Sequence, residues 1–345
     1  MTLHLTQASN LYTLQVGDRL VSGSIHDPLA NKTLVYWARD GFFTLGYSGL
    51  AYLGGKPTDE WIAEKLWGNV IPKNSDDRRP VAVNNSRIVR WLDIGQSAQM
   101  LVTELETLFR KLPPGNNDYA FTLVVAGWQQ PGLKRFRPHI LQIVKKPGTK
   151  SNFRIIRPHR YWFYQKQNIA ICQTPGGYLS QEDLSFLKNG LIKPVRKLNS
   201  RTPLEIANDA ENVLVEGIRR VASRYPKSIG KHCMSVLLPP PVGAPLRIRF
   251  LPAVTHEAVV TTQTWKRKFP VGYTPWIIGP KGTHAPSVVI GRGWELGLGP
   301  YRVTFEGSEV EGGFAYMGSQ RRYPINRLPF NQWSCLSPAL ITSLQ

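Results

Sequence analysis

Three residues near the start of the chain combine a hydroxyl, a carboxylate and an amine: Thr2, Asp18 and Lys32. If Met1 is removed, which the small size of threonine permits, Thr2 carries an unblocked α-amine beside its own hydroxyl. Such an amine has a pKa of about 8, so one residue can supply both a nucleophile and its general base. A nearby lysine lowers that pKa, and an aspartate can hold the lysine in place. The pattern therefore predicts a hydrolytic site with catalytic residues Thr2, Asp18 and Lys32.

Short alternating stretches are expected to bring these residues together. Residues 3–16 and 33–48 alternate apolar and polar side chains around a turn, which predicts two β-hairpins in one sheet. Asp18 follows the second strand of the first hairpin, and Lys32 precedes the first strand of the next. Neighbouring strands would then place both side chains beside Thr2, at the start of the first strand.

Helical patterns follow the hairpins. Apolar stripes predict helices at residues 58–67 and 97–112. A third helix is predicted to begin at Pro203, with Thr202 as its N-cap and Glu205 as the capping-box partner. Strands before and after these helices make the chain a mixture of α and β elements.

The pattern of predicted elements and of Gly and Pro residues changes near Pro239. Residues 1–238 contain the predicted helices and hairpins, whereas residues 239–345 are short β-like pieces broken by Gly and Pro. We expect two parts: a core over residues 1–238, and a β-rich C-terminal extension over residues 239–345.

Composition excludes several classes of protein. Three widely spaced cysteines indicate reduced thiols in a cytoplasmic protein, and neither they nor the seven scattered histidines form a metal-binding pattern. We expect no metal and no cofactor. No apolar run is long enough to span a bilayer, so no membrane association is expected.

The net charge of +20 is concentrated after residue 120. Residues 1–120 hold 12 basic and 12 acidic side chains, whereas residues 121–200 hold 14 basic and 2 acidic ones. Aromatic residues interleave with the basic ones, a composition that can neutralise phosphates and stack on bases. The alternative is a solvated basic face whose aromatic side chains point into the core. The candidate nucleic-acid contacts are Lys134, Arg135, Arg137, Arg154, Arg157 and Arg160.

The order of several motifs resembles a known family. Thr2 is followed by VGDR at Val16 to Arg19, by NK at Asn31 and Lys32, and by GYSGLAYLGGKPTDEWIAEKL from residue 46. This order resembles the β-subunits of the proteasome and their bacterial relatives, which are N-terminal-nucleophile hydrolases. The resemblance implies an α+β fold, a four-layer αββα sandwich, over about residues 2–238. It also implies a threonine nucleophile, a peptide or amide substrate, and a homo-oligomer.

The auxiliary residues of that family are only partly matched. Ser228 is placed as the auxiliary serine, but Tyr225 stands where the family has an aspartate, and TPGGYLS replaces its Gly-Ser-Gly turn. A second hypothesis is therefore a non-catalytic protein of the same fold that binds nucleic acid or a protein partner through residues 121–200. A third is a scaffold that assembles through the C-terminal β-rich region.

Overall fold

The computed structural model describes part of the chain. The described residues are 2–22, 30–73, 83–84, 91–113, 119–132, 135–149, 152–157, 160–164, 167–173, 178–195, 200–240, 246–254, 257–261, 266–280, 282–290, 294–298, 301–306 and 314–317.

These residues form four helices and twenty-two strands. The helices are α1 (Thr58–Trp67), α2 (Ile94–Arg110), α3 (Gln181–Val195) and α4 (Pro203–Arg224). The strands of the first half are β1 (His4–Ala8), β2 (Thr13–Asp18), β3 (Thr33–Ala38), β4 (Gly41–Ser48), β5 (Tyr52–Leu53), β6 (Lys56–Pro57), β7 (Val83–Asn84), β8 (Phe121–Gln129), β9 (Arg137–Lys145), β10 (Phe153–Ile156), β11 (Arg160–Tyr164) and β12 (Gln167–Gln173). Those of the second half are β13 (Cys233–Leu238), β14 (Leu246–Leu251), β15 (Glu257–Thr261), β16 (Lys266–Tyr273), β17 (Trp276–Gly279), β18 (Gly282–His284), β19 (Ser287–Ile290), β20 (Trp294–Leu298), β21 (Tyr301–Glu306) and β22 (Phe314–Met317).

Two eight-stranded sheets dominate the described part of the chain. The first sheet has the order β11-β12-β1-β2-β13-β14-β21-β20, and the second has the order β10-β9-β8-β4-β3-β17-β18-β7. Both are mixed, because β14 pairs with β21 and β3 pairs with β17 in parallel. A four-stranded sheet, β15-β16-β19-β22, and the short pair β5-β6 complete the set.

The two predicted hairpins exist, but they lie in different sheets. β1 and β2 pair in the first sheet, whereas β3 and β4 pair in the second, so the prediction of one shared sheet is wrong. The reason is that β1, β2 and β3 are buried on both faces. Alternation predicts the strands and their turns but cannot assign strands with two covered faces to a particular sheet.

Each of the two large sheets packs against two helices. The core cluster of the second sheet includes Trp61 from α1 and Leu105 from α2, and that of the first sheet includes Leu187 from α3 and Leu214 from α4. Between the sheets, β1 and β2 contact β4 and β8. The predicted α+β class is confirmed, with mixed sheets and four helices among the described residues.

Capping side chains set the helix starts. The predicted box of α4 is confirmed: Glu205 N–H donates to Thr202 Oγ1 at 3.3 Å, and Thr202 N–H donates to Glu205 Oε2 at 2.7 Å. Helix α2 begins three residues earlier than predicted. An Asp93–Gln96 box caps it there, with a 2.8 Å bond from Gln96 N–H to Asp93 Oδ1. Because this box satisfies backbone groups at the helix start, the helix includes Ile94, Gly95 and Gln96 ahead of the predicted first residue.

Helix α3 was not predicted from the sequence. Its start carries the same signature, because Asp183 N–H donates to Ser180 Oγ at 3.2 Å and Ser180 N–H donates to Asp183 Oδ2 at 2.8 Å. Arg224 at the end of α4 also donates to Asp183, at 3.2 Å to Oδ1. The pattern Ser-x-x-Asp was a readable signal for a helix start.

Strands beyond residue 238 extend both large sheets. β14 pairs antiparallel with β13 in the first sheet, and β17 pairs with β3 in the second. Two described strands of the C-terminal region, β14 and β17, are therefore bonded to strands of the N-terminal part. The proposed boundary near Pro239 stays a prediction about folding units.

Candidate active site

The carboxylate of Asp18 is the centre of the candidate site. Asp18 ends β2 and is 1% exposed. Its Oδ1 accepts the backbone N–H of Leu3 at 2.7 Å, and its Oδ2 accepts those of Leu20 at 3.0 Å and Gly230 at 3.1 Å. The same Oδ2 lies 3.3 Å from Lys32 Nζ. One buried carboxylate thus joins the first strand, the loop after β2, the turn before β13 and the lysine.

Thr2 is held beside this carboxylate by the backbone. Leu3, the next residue, exchanges two bonds with Asp18: its N–H donates to the carboxylate, and its C=O accepts from Asp18 N–H at 3.1 Å. The carbonyl of Thr2 accepts a bond from Ser48 Oγ at 3.2 Å, at the end of β4. Thr2 is buried, 4% exposed. The structure therefore places the backbone after Thr2 against Asp18, whose carboxylate also faces Lys32.

Lys32 reaches the site from the second sheet. It lies just before β3 and is 4% exposed, and its ammonium also donates to the carbonyl of Leu20. Tyr47 holds the backbone here, since its N–H donates to Lys32 O at 3.1 Å and its hydroxyl donates to Asn31 O at 3.0 Å. Asn31 in turn donates to Asp59 Oδ2 at 3.1 Å. Helix α1 thereby supports the approach of the lysine.

This arrangement suits nucleophilic attack by the first residue of a processed chain. With Met1 in place, the nitrogen of Thr2 is an amide and has no basic lone pair. With Met1 removed, that nitrogen would be an amine one residue before the Leu3 N–H that Asp18 accepts, and Asp18 also holds the Lys32 ammonium. A positive charge close to an amine lowers its pKa, so that more of the amine is in the base form at neutral pH.

Ser228, which the resemblance implies as an auxiliary residue, lies close in sequence to a backbone contact of Asp18. It is half-buried in the turn between α4 and β13, where its N–H donates to Tyr225 O at 3.0 Å. Two residues later, Gly230 donates to Asp18. The hydroxyl of Ser228 bonds to Tyr178: burial raises the pKa of the Tyr178 phenol, and the bond to Ser228 opposes that rise. Ser228 therefore contacts the site through its own turn.

Three contributors to the site escaped sequence reasoning. Tyr47 and Ser48 lie in the GYS motif, so they were quoted for the resemblance without a role. Gly230 contributes only a backbone N–H, for which no side-chain pattern exists. Their contacts with the backbone of Lys32, with Thr2 and with Asp18 depend on pairing between distant segments.

Four of the six candidate nucleic-acid contacts are described and exposed: Arg135, Arg137, Arg154 and Arg157. Lys134 lies outside the described residues. Arg160 lies in β11, and its side chain also lies outside them. The prediction of a phosphate-binding face therefore rests on these four exposed guanidinium groups.

The exposed arginines lie at different positions relative to the candidate active site. Arg137 begins β9 and is in register, through β8, with Gly41 at the start of β4. Ser48, which contacts Thr2, is at the other end of β4. Arg154 of β10 is in register with Ser48, three strands away across β9 and β8. Substitution of Arg137 is therefore expected to leave the candidate active site intact.

Other sequence-based expectations concern metals, thiols and membranes. The described residues contain no group of three or more His, Cys, Asp or Glu side chains that could hold a metal ion. Cys233 is buried, and burial raises the pKa of its thiol to about 12, as does the charge of Asp18. The side chains of Cys172 and Cys335 lie outside the described residues. No helix in the described part of the chain is long and apolar enough to cross a membrane.

Two buried histidines predict a loss of stability in acid. Burial lowers the pKa of His4 and of His284 to about 4. Between about pH 6.5 and pH 4 the unfolded chain therefore binds protons that the folded chain excludes, and stability falls as the pH falls. One pKa unit corresponds to about 1.4 kcal/mol, so each histidine should lower the free energy of unfolding by about 3 kcal/mol over this range. Urea unfolding at several pH values measures the slope.

This prediction is tested with a pair of variants. His4→Gln and His284→Gln should each flatten the pH dependence between pH 6.5 and 4, because burial lowers the pKa of both histidines. An equal slope in His4→Gln and in the parent protein would contradict the prediction.

Comparisons with known proteins show a distant likeness. No family model and no curated protein matches the sequence. Solved structures that resemble the chain include Anbu from Hyphomicrobium sp. strain MC1, with 14% identity, a TM-score of 0.39, and coverage of 73% of this chain and 88% of that one. Anbu (ancestral beta-subunit) from Yersinia bercovieri has 13% identity, a TM-score of 0.38 and coverage of 69% and 80%. The helical assembly of the Anbu complex from Pseudomonas aeruginosa has 18% identity, a TM-score of 0.37 and coverage of 68% and 81%. Identities of 13–18% and TM-scores below 0.4 do not place the chain in a family. The candidate function therefore depends on the geometry around Asp18.

Proposed function

We propose that the chain is a threonine-nucleophile hydrolase of amide or peptide bonds, active after removal of Met1. One observation carries the proposal. The carboxylate of Asp18 binds the peptide N–H that follows Thr2 at 2.7 Å and lies 3.3 Å from the Lys32 ammonium. A buried carboxylate and ammonium are costly to remove from water, and here they lie at the position of the new N-terminus.

Each group then has one chemical role. Thr2 Oγ attacks the carbonyl carbon of the substrate while the α-amine of Thr2 takes the hydroxyl proton. The amine gives this proton to the departing nitrogen, and the amide bond breaks to leave an ester on Oγ. Water then attacks the ester, again losing its proton to the amine, which releases the acid and restores Thr2. Lys32 lowers the pKa of the amine, and Asp18 holds Lys32. No metal or cofactor enters these steps.

The proposal extends to the fold and the assembly. Helices cover the outer faces of two sheets whose inner faces contact each other, which agrees with a four-layer αββα sandwich of N-terminal-nucleophile type. The motif order from Thr2 to residue 66 supports the same fold. By the same resemblance we propose a peptide or amide substrate, a homo-oligomer and a cytoplasmic location.

The proposal is tested at the N-terminus. The intact mass of the purified protein should lack one methionine, and an electrophilic probe for N-terminal nucleophiles should add its mass to the peptide that begins at Thr2. Quantitative retention of Met1 in folded protein would contradict the mechanism, because Thr2 would then have no amine. Probe attached to any other peptide would contradict the assignment of Thr2.

The second candidate function is binding of nucleic acid through residues 121–200. The observation that favours it is the exposure of Arg135, Arg137, Arg154 and Arg157 in a segment with 14 basic and 2 acidic side chains. A protein partner with an acidic surface could bind the same face, and a scaffold would form a stable complex without hydrolysis.

Binding through this face predicts a strong dependence on salt. Affinity for a single-stranded or double-stranded oligonucleotide should fall steeply as salt rises, because each neutralised phosphate releases counterions. Replacing the four exposed arginines by glutamine should reduce the slope of log affinity against log salt by about 3–4. Fluorescence anisotropy measures it. Undetectable binding by the parent protein at low salt would contradict this function and leave a solvated basic face.

A further inference from the structure

A buried histidine spans the gap between the two sheets beside the candidate active site. His4 lies in β1, two residues after Thr2, and is 0% exposed. Leu3 and Leu5 belong to the cluster that packs against α3 and α4. Successive side chains of a strand point to opposite faces, so His4 points from the strand next to Thr2 toward the sheet that carries Lys32.

Two glycines form a slot for the imidazole of His4. Gly17 is the partner of His4 in the β1–β2 pair, and Gly46 lies in β4 of the second sheet. A Cβ at either glycine would lie less than 3.0 Å from the ring, which is closer than packed atoms approach. The imidazole therefore fills the space that a side chain at position 17 or 46 would need. One of these glycines belongs to each sheet.

A chain of hydrogen bonds leads from His4 to Lys32. Nε2 of His4 lies 3.1 Å from Tyr47 O, and because a carbonyl only accepts, Nε2 carries the proton. Tyr47 donates its N–H to Lys32 O at 3.1 Å and its hydroxyl to Asn31 O at 3.0 Å. A side chain of the first sheet thus holds the residue that fixes the backbone at Lys32.

We propose that neutral His4 is a positioning residue that sets the distance between the two sheets and so holds the Lys32 ammonium against the Asp18 carboxylate. As far as Thr2 chemistry is concerned, this inference rests on the proposed function. Burial lowers the pKa of His4 to about 4, against the effect of Asp18 and with the help of Lys32. Among the described residues, the charged side chains that act on the ring are Asp18 at the end of β2 and Lys32 before β3, and the backbone carbonyl of Tyr47 in β4 accepts its N–H. The ring therefore stays neutral at physiological pH.

Acetylation of Lys32 by acetic anhydride tests this role without any catalytic readout. In the parent protein Lys32 is 4% exposed and should react slowly. His4→Leu fills the slot with an apolar side chain and removes the hydrogen-bond donor to Tyr47 O. We expect it to raise the acetylation rate of Lys32 about tenfold, which is the factor expected for the loss of one buried hydrogen bond. His4→Gln keeps an amide donor and should raise it less. Mass spectrometry of the Lys32 peptide gives the rates.

An internal control separates local loosening from unfolding. Lys145 is also buried, at 0% exposure, and its Nζ donates to Tyr119 O at 3.1 Å. Its acetylation rate should be the same in the parent protein and in His4→Leu. An equal rise at Lys32 and Lys145 would mean global unfolding and would overturn the proposal.

A matched variant tests whether the loss of any buried hydrogen bond between the two sheets raises the acetylation rate of Lys32. Thr13 of β2 donates to the carbonyl of Gly127 in the second sheet at 3.4 Å and is fully buried. Thr13→Val removes that bond at the end of β2 opposite Gly17 and so leaves the slot of His4 intact, and Lys32 should stay protected. Equal acetylation of Lys32 in Thr13→Val and His4→Leu, or an unchanged rate in His4→Leu, would overturn the role of His4.

The reaction of Thr2 with the electrophilic probe then decides the link to catalysis. In His4→Leu the rate should fall and its pH midpoint should rise, because the amine loses the nearby charge of Lys32. His4→Gln should restore part of both. An unchanged midpoint alongside faster Lys32 acetylation would overturn the link. A parent protein that does not react at Thr2 would contradict the proposed function, while the acetylation rates would still decide the role of His4.

Discussion

Thr2→Ala should abolish both amide hydrolysis and reaction with an electrophilic probe, whereas Thr2→Ser should retain part of each. Alanine keeps the α-amine, the general base, but has lost the hydroxyl that attacks the substrate or probe. Serine keeps a hydroxyl next to the same amine, in the same relation to Asp18 and Lys32. The measurement is the rate of probe attachment to the N-terminal peptide after removal of Met1, followed by mass spectrometry. We expect a loss of at least about 1,000-fold for alanine, as for other removed nucleophiles.

Thr6 supplies the control for this experiment. Thr6 lies in β1, which begins two residues after Thr2, and it is fully buried. Its Oγ1 accepts a hydrogen bond from Gln15 Nε2 at 3.1 Å. Thr6→Ala removes a buried hydroxyl four residues from Thr2 and should leave the probe reaction in place. Undiminished labelling of Thr2→Ala would show that the nucleophile is another residue.

Asp18→Asn should lower the free energy of unfolding by about 3–5 kcal/mol and remove the reactivity of Thr2. The change leaves the Lys32 ammonium buried without its negative partner, and breaking a buried pair from one side costs about this much. The amide also offers only one acceptor oxygen, whereas the carboxylate accepts from three backbone N–H groups and faces Lys32. Denaturant unfolding measures the stability, and the N-terminal probe measures the reactivity.

Two further variants make the test of the buried pair specific. Glu104→Gln breaks an ion pair with Lys65 of 2.7 Å, in which both side chains are more than a third exposed, and it should cost about 0–1 kcal/mol. Lys32→Met in the Asp18→Asn background should recover part of the stability, because no buried charge remains, but not the reactivity of Thr2. If Asp18→Asn costs no more than Glu104→Gln, the buried pair is not the support we infer.

Local sequence signals predicted the elements that carry the site. Alternation located the strands before and after Asp18 and Lys32, and the pattern Thr202-Pro-x-Glu205 located the start of α4. These signals are reliable because they depend on contacts between residues a few positions apart, whose distance in the structure is determined by their spacing along the chain. The same logic would have found α3 from Ser180 and Asp183, had that pattern been used.

The choice of the three candidate residues could also be made from the sequence. A threonine behind Met1, an aspartate after the second strand and a lysine before the third have the right chemistry in the right order. The structure adds that one carboxylate reaches both Lys32 and the backbone next to Thr2.

Only the tertiary structure decided how the two hairpins meet. The sequence predicted one sheet, but Thr2 precedes a strand of the first sheet and Asp18 ends another strand of that sheet, whereas Lys32 precedes a strand of the second sheet. The site therefore lies where the two sheets meet. The residues that set this meeting, such as His4 and Gly46, are far apart in sequence and act through shape and backbone groups. A strand buried on both faces shows no periodicity that names its neighbour, because the partner of each face comes from packing over long sequence distances.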